Sequence, residues 1–175
     1  MYFKRHIDPF LIEWKDSRHH KPLLLRGARQ VGKSSSIRHL GETFEHFVEV
    51  NFETRPELRQ IFKDVSNVRE IASRLGTLFS TPILEGKTLL FLDEIQEYPQ
   101  LFTLIKFLRE EGRYRYVASG SLLGVTLKKS ASIPLGSIDI LKMYPLDFEE
   151  FMIANDFGKP AIKAMRENFK SMKSM

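Results

Sequence analysis

A glycine-rich stretch constrains this chain more than any other feature of its sequence. An apolar run at residues 23–25 leads into it, and residues 33–44 carry apolar side chains at helical spacing. Between them the chain reads Gly27-Ala28-Arg29-Gln30-Val31-Gly32-Lys33-Ser34, the spacing of a phosphate-binding loop. A strand that turns into a helix through such a loop directs backbone N–H groups and the positive end of the helix dipole at an anion.

The residues of this loop have separate expected roles in holding a nucleotide. We expect Lys33 to reach the outer phosphates and the Ser34 hydroxyl to ligate Mg²⁺. The backbone of residues 27–34, with Ser35 in the first helical turn, is expected to hold the other phosphate oxygens. Arg29 either touches phosphate or faces solvent or a neighbouring subunit. A coincidental glycine turn is the alternative, and the flanking strand and helix disfavour it.

Two acidic residues end a second apolar segment. Residues 88–92 read as a buried strand, and Asp93 and Glu94 follow it directly. Ligands of open α/β sheets bind at the carboxyl ends of the strands. We therefore expect Asp93 to join the magnesium shell and Glu94 to act as the base that polarises an attacking water. The alternative is a strand that merely ends in solvated acids.

The same acidic pair argues against GTP as the ligand. A GTPase ordinarily presents an Asp-x-x-Gly switch after this strand, whereas this chain continues Asp93-Glu94-Ile95-Gln96. The chain also contains no Asn-Lys-x-Asp segment that would read guanine.

A third polar element, Ser119-Gly120-Ser121, follows the predicted strand at residues 114–118. If that strand flanks the phosphate site, a hydroxyl at its end could position the attacking water or sense the γ-phosphate. Ser121 is the first candidate for this role and Ser119 the second. A plain Ser/Gly turn is an equal alternative.

Predicted strands alternate with predicted helices along the chain, which indicates an α/β fold with a mainly parallel sheet. The predicted strands cover residues 23–25, 47–52, 88–92, 114–118 and 138–143. The predicted helices cover residues 8–17, 33–44, 56–62, 67–79 and 101–111. Asn67 is expected to cap the helix over 67–79. Asp147 and Glu150 form a capping-box pattern that opens a last short helix through Phe151.

Composition and charge limit the remaining function classes. The chain has 175 residues and no cysteine, so disulfides and thiolate zinc sites are excluded. The apolar runs are too short to cross a bilayer, and we expect a soluble, cytoplasmic protein with no membrane partner. Five basic residues against Glu167 give residues 159–175 a net charge of +4, out of +5 for the whole chain. Because the body carries no clear basic cluster, a nucleic-acid partner is only weakly supported.

These motifs together resemble the AAA-like branch of P-loop ATPases with an adjacent Asp-Glu pair. More narrowly, the chain resembles prokaryotic ATPases in which an N-terminal AAA domain precedes a C-terminal domain of unknown function. The likeness is carried by the phosphate loop, by Leu92-Asp93-Glu94-Ile95-Gln96, by Ser119-Gly120-Ser121, and by Tyr144-Pro145-Leu146-Asp147-Phe148-Glu149-Glu150-Phe151.

The resemblance implies a three-layer α/β/α sandwich with strand order 5-1-4-3-2, and ATP with Mg²⁺ as cofactors. It implies that residues 1–155 form the ATPase domain, with a helical lead-in at 1–20. Residues 156–175 would be a basic amphipathic tail leading to an absent C-terminal domain, so the chain would be an N-terminal fragment. Such domains often carry a Gly-Arg pair before the last strand, where this chain has Pro134-Leu135-Gly136-Ser137.

The leading hypothesis is therefore Mg²⁺-dependent ATP binding and hydrolysis, with the driven process unknown. The rival hypothesis is an ATP-gated switch for protein or nucleic-acid interactions with little intrinsic hydrolysis. A homo-oligomer or another partner could supply a missing arginine, and Arg109, Arg113 and Arg115 are candidates for donation to a neighbouring subunit. The sequence leaves open whether Arg5, or the helix that follows it, borders the adenine.

Overall fold

Five apolar segments of the chain form one parallel β-sheet. The computed structural model describes residues 2–18, 21–63, 67–111, 113–121 and 135–172. The strands are β1 (Leu23–Arg26), β2 (His46–Asn51), β3 (Thr88–Asp93), β4 (Arg115–Gly120) and β5 (Asp139–Lys142). They lie in the order β2-β3-β4-β1-β5, and every neighbouring pair is parallel. The predicted fold class and strand order are confirmed.

Helices cover both faces of this sheet. They are α1 (Asp8–Asp16), α2 (Lys33–Gly41), α3 (Val68–Phe79), α4 (Leu101–Glu111), α5 (Phe148–Ala154) and α6 (Lys159–Met172). Short 3-10 helices lie at Pro56–Phe62, Ile95–Glu97 and Leu135–Ser137. Helices α1 and α2 share one apolar cluster with the sheet, and α3 and α4 share the other. The architecture is therefore the three-layer α/β/α sandwich.

Alternation along the strands assigns each side chain to one of the two clusters. In β3, Leu90 and Leu92 pack toward α3 and α4, whereas Leu89 and Phe91 pack toward α1 and α2. All six residues of β3 are buried. A parallel strand covered on both faces carries a continuous apolar run, which is why this run predicted a strand. The burial also brings Asp93, at the end of β3, into the interior.

Strand β4 differs from the prediction at its carboxyl end. Ser119 and Gly120 belong to the strand, paired with Leu25 and Arg26 of β1, and do not form a turn. Serine and glycine favour turns locally, but the parallel ladder with β1 supplies their backbone partners. The residues that follow, 122–134, lie outside the described part of the chain.

Other boundaries differ from the predicted ones by a few residues. Helix α2 ends at Gly41, because Thr43 N–H donates to the Leu40 carbonyl and Phe44 N–H to that of Gly41, which closes a turn. Residues 56–62 form a 3-10 helix with bonds such as Leu58 N–H to the Arg55 carbonyl at 3.1 Å. The last strand is shorter than residues 138–143, and the last short helix extends beyond Phe151 to Ala154.

Both predicted helix caps are present. The Asn67 side chain accepts a hydrogen bond from Glu70 N–H at 3.0 Å at the start of α3. At the start of α5, Asp147 accepts from Glu150 N–H at 2.7 Å, and Glu150 accepts from Asp147 N–H at 3.0 Å. This reciprocal pair is the capping box, and it fixes the position of Glu150.

The tail forms helix α6 and contacts α5. Arg166 pairs with Glu149, and a groove between the two helices is lined by apolar side chains including Met152, Ile162 and Phe169. The apolar side of α6 is only partly covered by this contact, since Phe169 remains 61% exposed. Within the described ranges, no helix combines the length and apolarity needed to cross a bilayer.

Candidate functional site

The glycine-rich loop joins the end of β1 to the start of α2, as its sequence predicted. Gln30 and Gly32 have φ angles of +60° and +96°, in the left-handed region that lets the chain wrap tightly. A Cβ on Gly27 would lie 2.3 Å from the Met143 carbonyl oxygen, closer than atoms can approach. Gly27 is therefore required where the loop passes the end of β5.

The Lys33 side chain folds back over this loop. Its ammonium donates to the carbonyls of Gly27 at 3.2 Å and Ala28 at 2.7 Å, and the residue is buried. Burial lowers the pKa of Lys33, with Arg29 acting in the same direction, while Glu94 and Asp93 oppose the shift. The two acids therefore contribute to keeping the ammonium charged inside the protein.

The Asp93 carboxylate is the centre of a buried hydrogen-bond cluster. The residue is 2% exposed. Its Oδ2 accepts from Ser34 Oγ at 2.8 Å and from Asn51 Nδ2 at 3.1 Å, and its Oδ1 accepts from Glu94 N–H at 3.0 Å and from Ser119 Oγ. Donors from the ends of β2 and β4, and from the start of α2, thus meet the acid at the end of β3. A buried carboxylate with this many donors is held in one orientation.

Glu94 has an unusual backbone conformation. Its φ of +53° lies in the left-handed region, which is uncommon outside glycine and clusters at functional sites. Its Oε2 accepts from Gln96 Nε2, and Gln96 Oε1 in turn accepts from Ser121 N–H at 3.2 Å. The Glu94 carboxylate is therefore connected to the end of β4 through Gln96.

The two serine candidates have different surroundings. Ser119 places its hydroxyl on Asp93. Ser121 is buried, and its backbone N–H donates to Gln96. The role predicted first for Ser121 and second for Ser119 stays a prediction.

The remaining loop residues are more exposed. Ala28, Arg29, Gln30 and Ser35 are exposed, and Val31 is buried. The Arg29 guanidinium lies 4.0 Å from Glu53 on the surface.

Two of the arginines considered for donation to a neighbouring subunit bond elsewhere in the chain. Arg109 donates to Ser137 Oγ at 3.1 Å, and Arg115 donates to the Ser17 carbonyl at 3.3 Å. The proposed donation by an arginine stays a prediction.

The motifs of the sequence predict no role for Asn51 or for Gln96. Asn51 ends a strand of the same parallel sheet, and its polar side chain after an apolar segment was the available signal. Gln96 stood in the motif quoted for the family resemblance, but its contact with Glu94 depends on the left-handed turn, which the sequence did not indicate.

A separate group of hydrogen bonds is centred on Arg5, which contacts the loop at Val31. Arg5 donates to the Val31 carbonyl at 2.7 Å, to the Tyr144 carbonyl at 2.8 Å and to Glu150 Oε1 at 3.0 Å. The N-terminal segment, the loop and the start of α5 are thereby joined. Beside Arg5 lies a cavity of about 480 Å³, whose apolar lining includes Ile7, Phe10, Leu141, Met143 and Pro145.

This arrangement, built on a parallel α/β/α sandwich, defines a P-loop nucleotide-binding domain. A model of the AAA domain family matches residues 19–152, more than half of the chain, and the chain belongs to that family. The Walker-type ATPase PABY2304 of Pyrococcus abyssi is similar in structure, with a TM-score of 0.51 and 19% identity over 85% of this chain. The chain spans only 55% of that protein, and at this identity the likeness shows the fold alone. No curated protein matches the sequence.

Proposed function

We propose that this domain binds ATP with Mg²⁺ and hydrolyses the bond between the β- and γ-phosphates. The observation that carries the proposal is the hydrogen bond of 2.8 Å between the Ser34 hydroxyl and the Asp93 carboxylate. It joins the first turn after the phosphate loop to the acid at the end of β3. The loop proposed to bind phosphate and the acid proposed to bind a cation therefore lie at one place.

The residues at this place suit Mg²⁺. Hydroxyl and carboxylate oxygens are the ligands that this hard cation prefers. Because Ser34 donates its proton to Asp93, the lone pairs of its oxygen remain for a cation. Ser34 and Asp93 would hold the ion, and when bound it would neutralise charge on the phosphate oxygens.

Lys33 and Glu94 supply the other two functions of the reaction. A nucleotide phosphate would compete with the Gly27 and Ala28 carbonyls for the Lys33 ammonium. The ammonium would then donate to an anionic phosphate oxygen, and such charge-assisted hydrogen bonds are stronger than bonds to neutral carbonyls. Glu94 would take a proton from the water that attacks the γ-phosphate. Within the described residues Glu94 Oε1 has no hydrogen-bond donor, so it is available to a water.

The cavity beside Arg5 is the proposed site of the adenine ring of ATP. Its volume of about 480 Å³ falls within the common range of ligand sites, about 300–1,000 Å³. Met143 lines it and also lies against the loop, since its Cε would be 3.4 Å from a Cβ on Gly32. A nucleotide with its phosphates in the loop can therefore place a flat apolar ring there.

Single-turnover phosphate release together with ATP titration tests the proposal. Glu94→Gln should retain ATP affinity and lose about 10²–10⁴-fold in the rate of phosphate release, the usual contribution of a general base. The matched control is Glu97→Gln, an exposed acid three residues further along, which should behave as wild type. Unchanged phosphate release in Glu94→Gln would reject Glu94 as the base.

An ATP titration tests the proposed role of Lys33 in phosphate binding. Lys33→Ala should weaken ATP binding at least tenfold, whereas Lys87→Ala, which removes a surface ion pair with Glu45, should not. If Lys33→Ala bound ATP as tightly as Lys87→Ala, the proposed role of the loop in phosphate binding would be rejected. Tight ATP binding without phosphate release in the wild type, with or without a partner protein or DNA, would instead favour the ATP-gated switch.

A further inference from the structure

Gln96 occupies a position between the proposed base and the end of β4. Its side-chain amide has two ends of opposite character, and both are used. The Nε2 group donates to Glu94 Oε2, and Oε1 accepts from Ser121 N–H at 3.2 Å. Gln96 is half-buried, so these bonds are partly shielded from competing water.

From this geometry we infer that Gln96 is a positioning residue for hydrolysis, which orients the Glu94 carboxylate by anchoring it to β4. The inference rests on the proposed function, since it gives Gln96 a role only if Glu94 acts as the base. Its contacts are with Glu94 and with the protein backbone, so Gln96 acts through another residue.

The chemistry of an amide suits this task better than that of a charged side chain. A neutral N–H donor fixes one oxygen of a carboxylate without supplying a full positive charge that would strongly reduce its basicity. With Oε2 held by Gln96, Oε1 is the oxygen left for the attacking water of the proposed reaction. An amide also accepts at its other end, so the same group is held by Ser121 N–H.

The backbone of Glu94 makes such a support necessary. A left-handed residue at φ +53° sits in a turn, followed by the short 3-10 helix Ile95–Glu97. A side chain on a turn has more freedom than one inside the sheet. Asp93, the preceding residue, is held by four donors, whereas among the described residues the hydrogen bond to the Glu94 side chain comes from Gln96.

The anchor also connects the base to the metal-binding acid. Strand β4 contributes the Ser119 hydroxyl to Asp93 and, two residues later, the Ser121 N–H to Gln96. A shift of the end of β4 would therefore move the orienting contacts of both acids together. Strand β4 would therefore hold Glu94 and Asp93 at a fixed position relative to each other.

The experiment compares Gln96→Met and Gln96→Glu with wild type in single-turnover ATP hydrolysis and ATP titration. Gln96→Met keeps the length of the side chain but removes both hydrogen bonds. We expect its rate of phosphate release to fall about tenfold or more, with ATP affinity within twofold of wild type. Gln100→Met, at an exposed position before α4, is the matched control and should leave both quantities unchanged.

Gln96→Glu keeps the length of the side chain but replaces the Nε2 donor with a second carboxylate oxygen, while the other oxygen can still accept from Ser121 N–H. The new oxygen would repel the Glu94 carboxylate that the amide held, so the rate of phosphate release should fall as in Gln96→Met. ATP affinity should again stay within twofold of wild type, a separation of rate from binding that a general disturbance of the site would not give.

Several results would overturn the inference. Rates of phosphate release within twofold of wild type in both variants, in a protein where Glu94→Gln still abolishes release, would reject Gln96 alone and leave the proposed function standing. A higher rate in Gln96→Met would show that the contact restrains the base. Loss of ATP affinity in parallel with rate would show that Gln96 supports the fold of the site generally. Absence of hydrolysis in the wild type would reject the proposed function, and the inference with it.

Discussion

The Arg5 guanidinium and the Glu150 carboxylate form an ion pair at 3.0 Å, although they lie 145 residues apart in the sequence. Both side chains are almost fully buried, at 8% and 6% exposed. Glu150 also accepts from His6 N–H at 2.7 Å. Because the other nitrogens of Arg5 donate to the Val31 and Tyr144 carbonyls, the pair connects the phosphate loop to the first turn of α5.

Arg5→Ala should lower the free energy of unfolding substantially. It would leave the buried Glu150 carboxylate without its counter-charge, and breaking a buried pair in this way costs about 3–5 kcal/mol. Urea unfolding followed by circular dichroism measures the loss. Lys87→Ala, which breaks an exposed pair, should cost about 1 kcal/mol or less. Equal losses in the two variants would contradict the structural importance of the buried pair.

The same pair predicts a dependence of stability on pH. Burial alone would raise the pKa of Glu150, but the hydrogen bonds from Arg5, His6 N–H and Asp147 N–H, with the charge of Arg5, hold it below its usual value of 4.5. A carboxyl whose pKa is lower in the folded state stabilises fully above its unfolded pKa. This contribution is lost as the pH falls from about 4.5 through the folded pKa.

Glu150→Gln removes the titrating group and so tests this dependence. Its free energy of unfolding should be lower than that of wild type at about pH 7, and the difference should shrink as the pH is lowered toward about 3. Urea unfolding across that range gives the comparison. If the free energies of unfolding of wild type and Glu150→Gln differed by the same amount at every pH in the acidic range, Glu150 would not contribute in this way.

Gly27→Ala should abolish tight nucleotide binding. The added Cβ would lie 2.3 Å from the Met143 carbonyl oxygen and 3.2 Å from Val31 Cγ2. The Met143 backbone cannot easily retreat, because its N–H donates to the Arg26 carbonyl at 2.8 Å. The loop itself must therefore shift, and we expect ATP affinity to fall at least tenfold.

Gly136→Ala is the matched control for that substitution, because nothing lies within 4 Å of its added Cβ. Its ATP affinity in a calorimetric titration should equal that of wild type. If Gly27→Ala bound ATP as tightly as Gly136→Ala, the loop would not depend on the close approach to Met143.

The sheet and the phosphate loop could be predicted from the sequence because their signals are local. The run at residues 88–92 is apolar on both faces of its strand, and the glycine spacing at 27–32 describes the turn directly. The end of β4 could not be placed in the same way. Ser119 and Gly120 favour a turn by themselves, and only the ladder with β1 makes them strand residues.

The partners of the acids depend on register and side-chain direction, which no local pattern contains. Asn51 reaches Asp93 across 42 residues because β2 and β3 pair with these two residues opposite each other. The Gln96 contact requires the left-handed conformation of Glu94, and the Arg5 contacts require three separate segments to meet. Each of these side chains is polar, and Asn51 ends a strand, which is the most that the sequence could indicate.

The two serines at the end of β4 can be separated by substitution. Ser119→Ala removes a donor from the buried Asp93 carboxylate, whereas Ser121→Ala leaves in place the backbone N–H that bonds Gln96. A hydrogen bond to a charged group contributes about 1.5–3 kcal/mol, and after the substitution Glu94 N–H still donates to the same oxygen. We therefore expect Ser119→Ala to weaken Mg²⁺-dependent ATP binding by about tenfold and to lower stability, as measured by titration with and without Mg²⁺ and by urea unfolding.

Ser121→Ala gives the contrasting result if its hydroxyl senses the γ-phosphate, as the sequence predicted. It should keep ATP affinity and stability close to wild type while slowing phosphate release, and ADP binding should be unaffected because ADP lacks that phosphate. Wild-type phosphate release in Ser121→Ala, combined with slow release in Ser119→Ala, would transfer the predicted sensing role to Ser119. Slow phosphate release in Ser121→Ala, combined with wild-type release in Ser119→Ala, would leave Ser119 only the role of supporting Asp93.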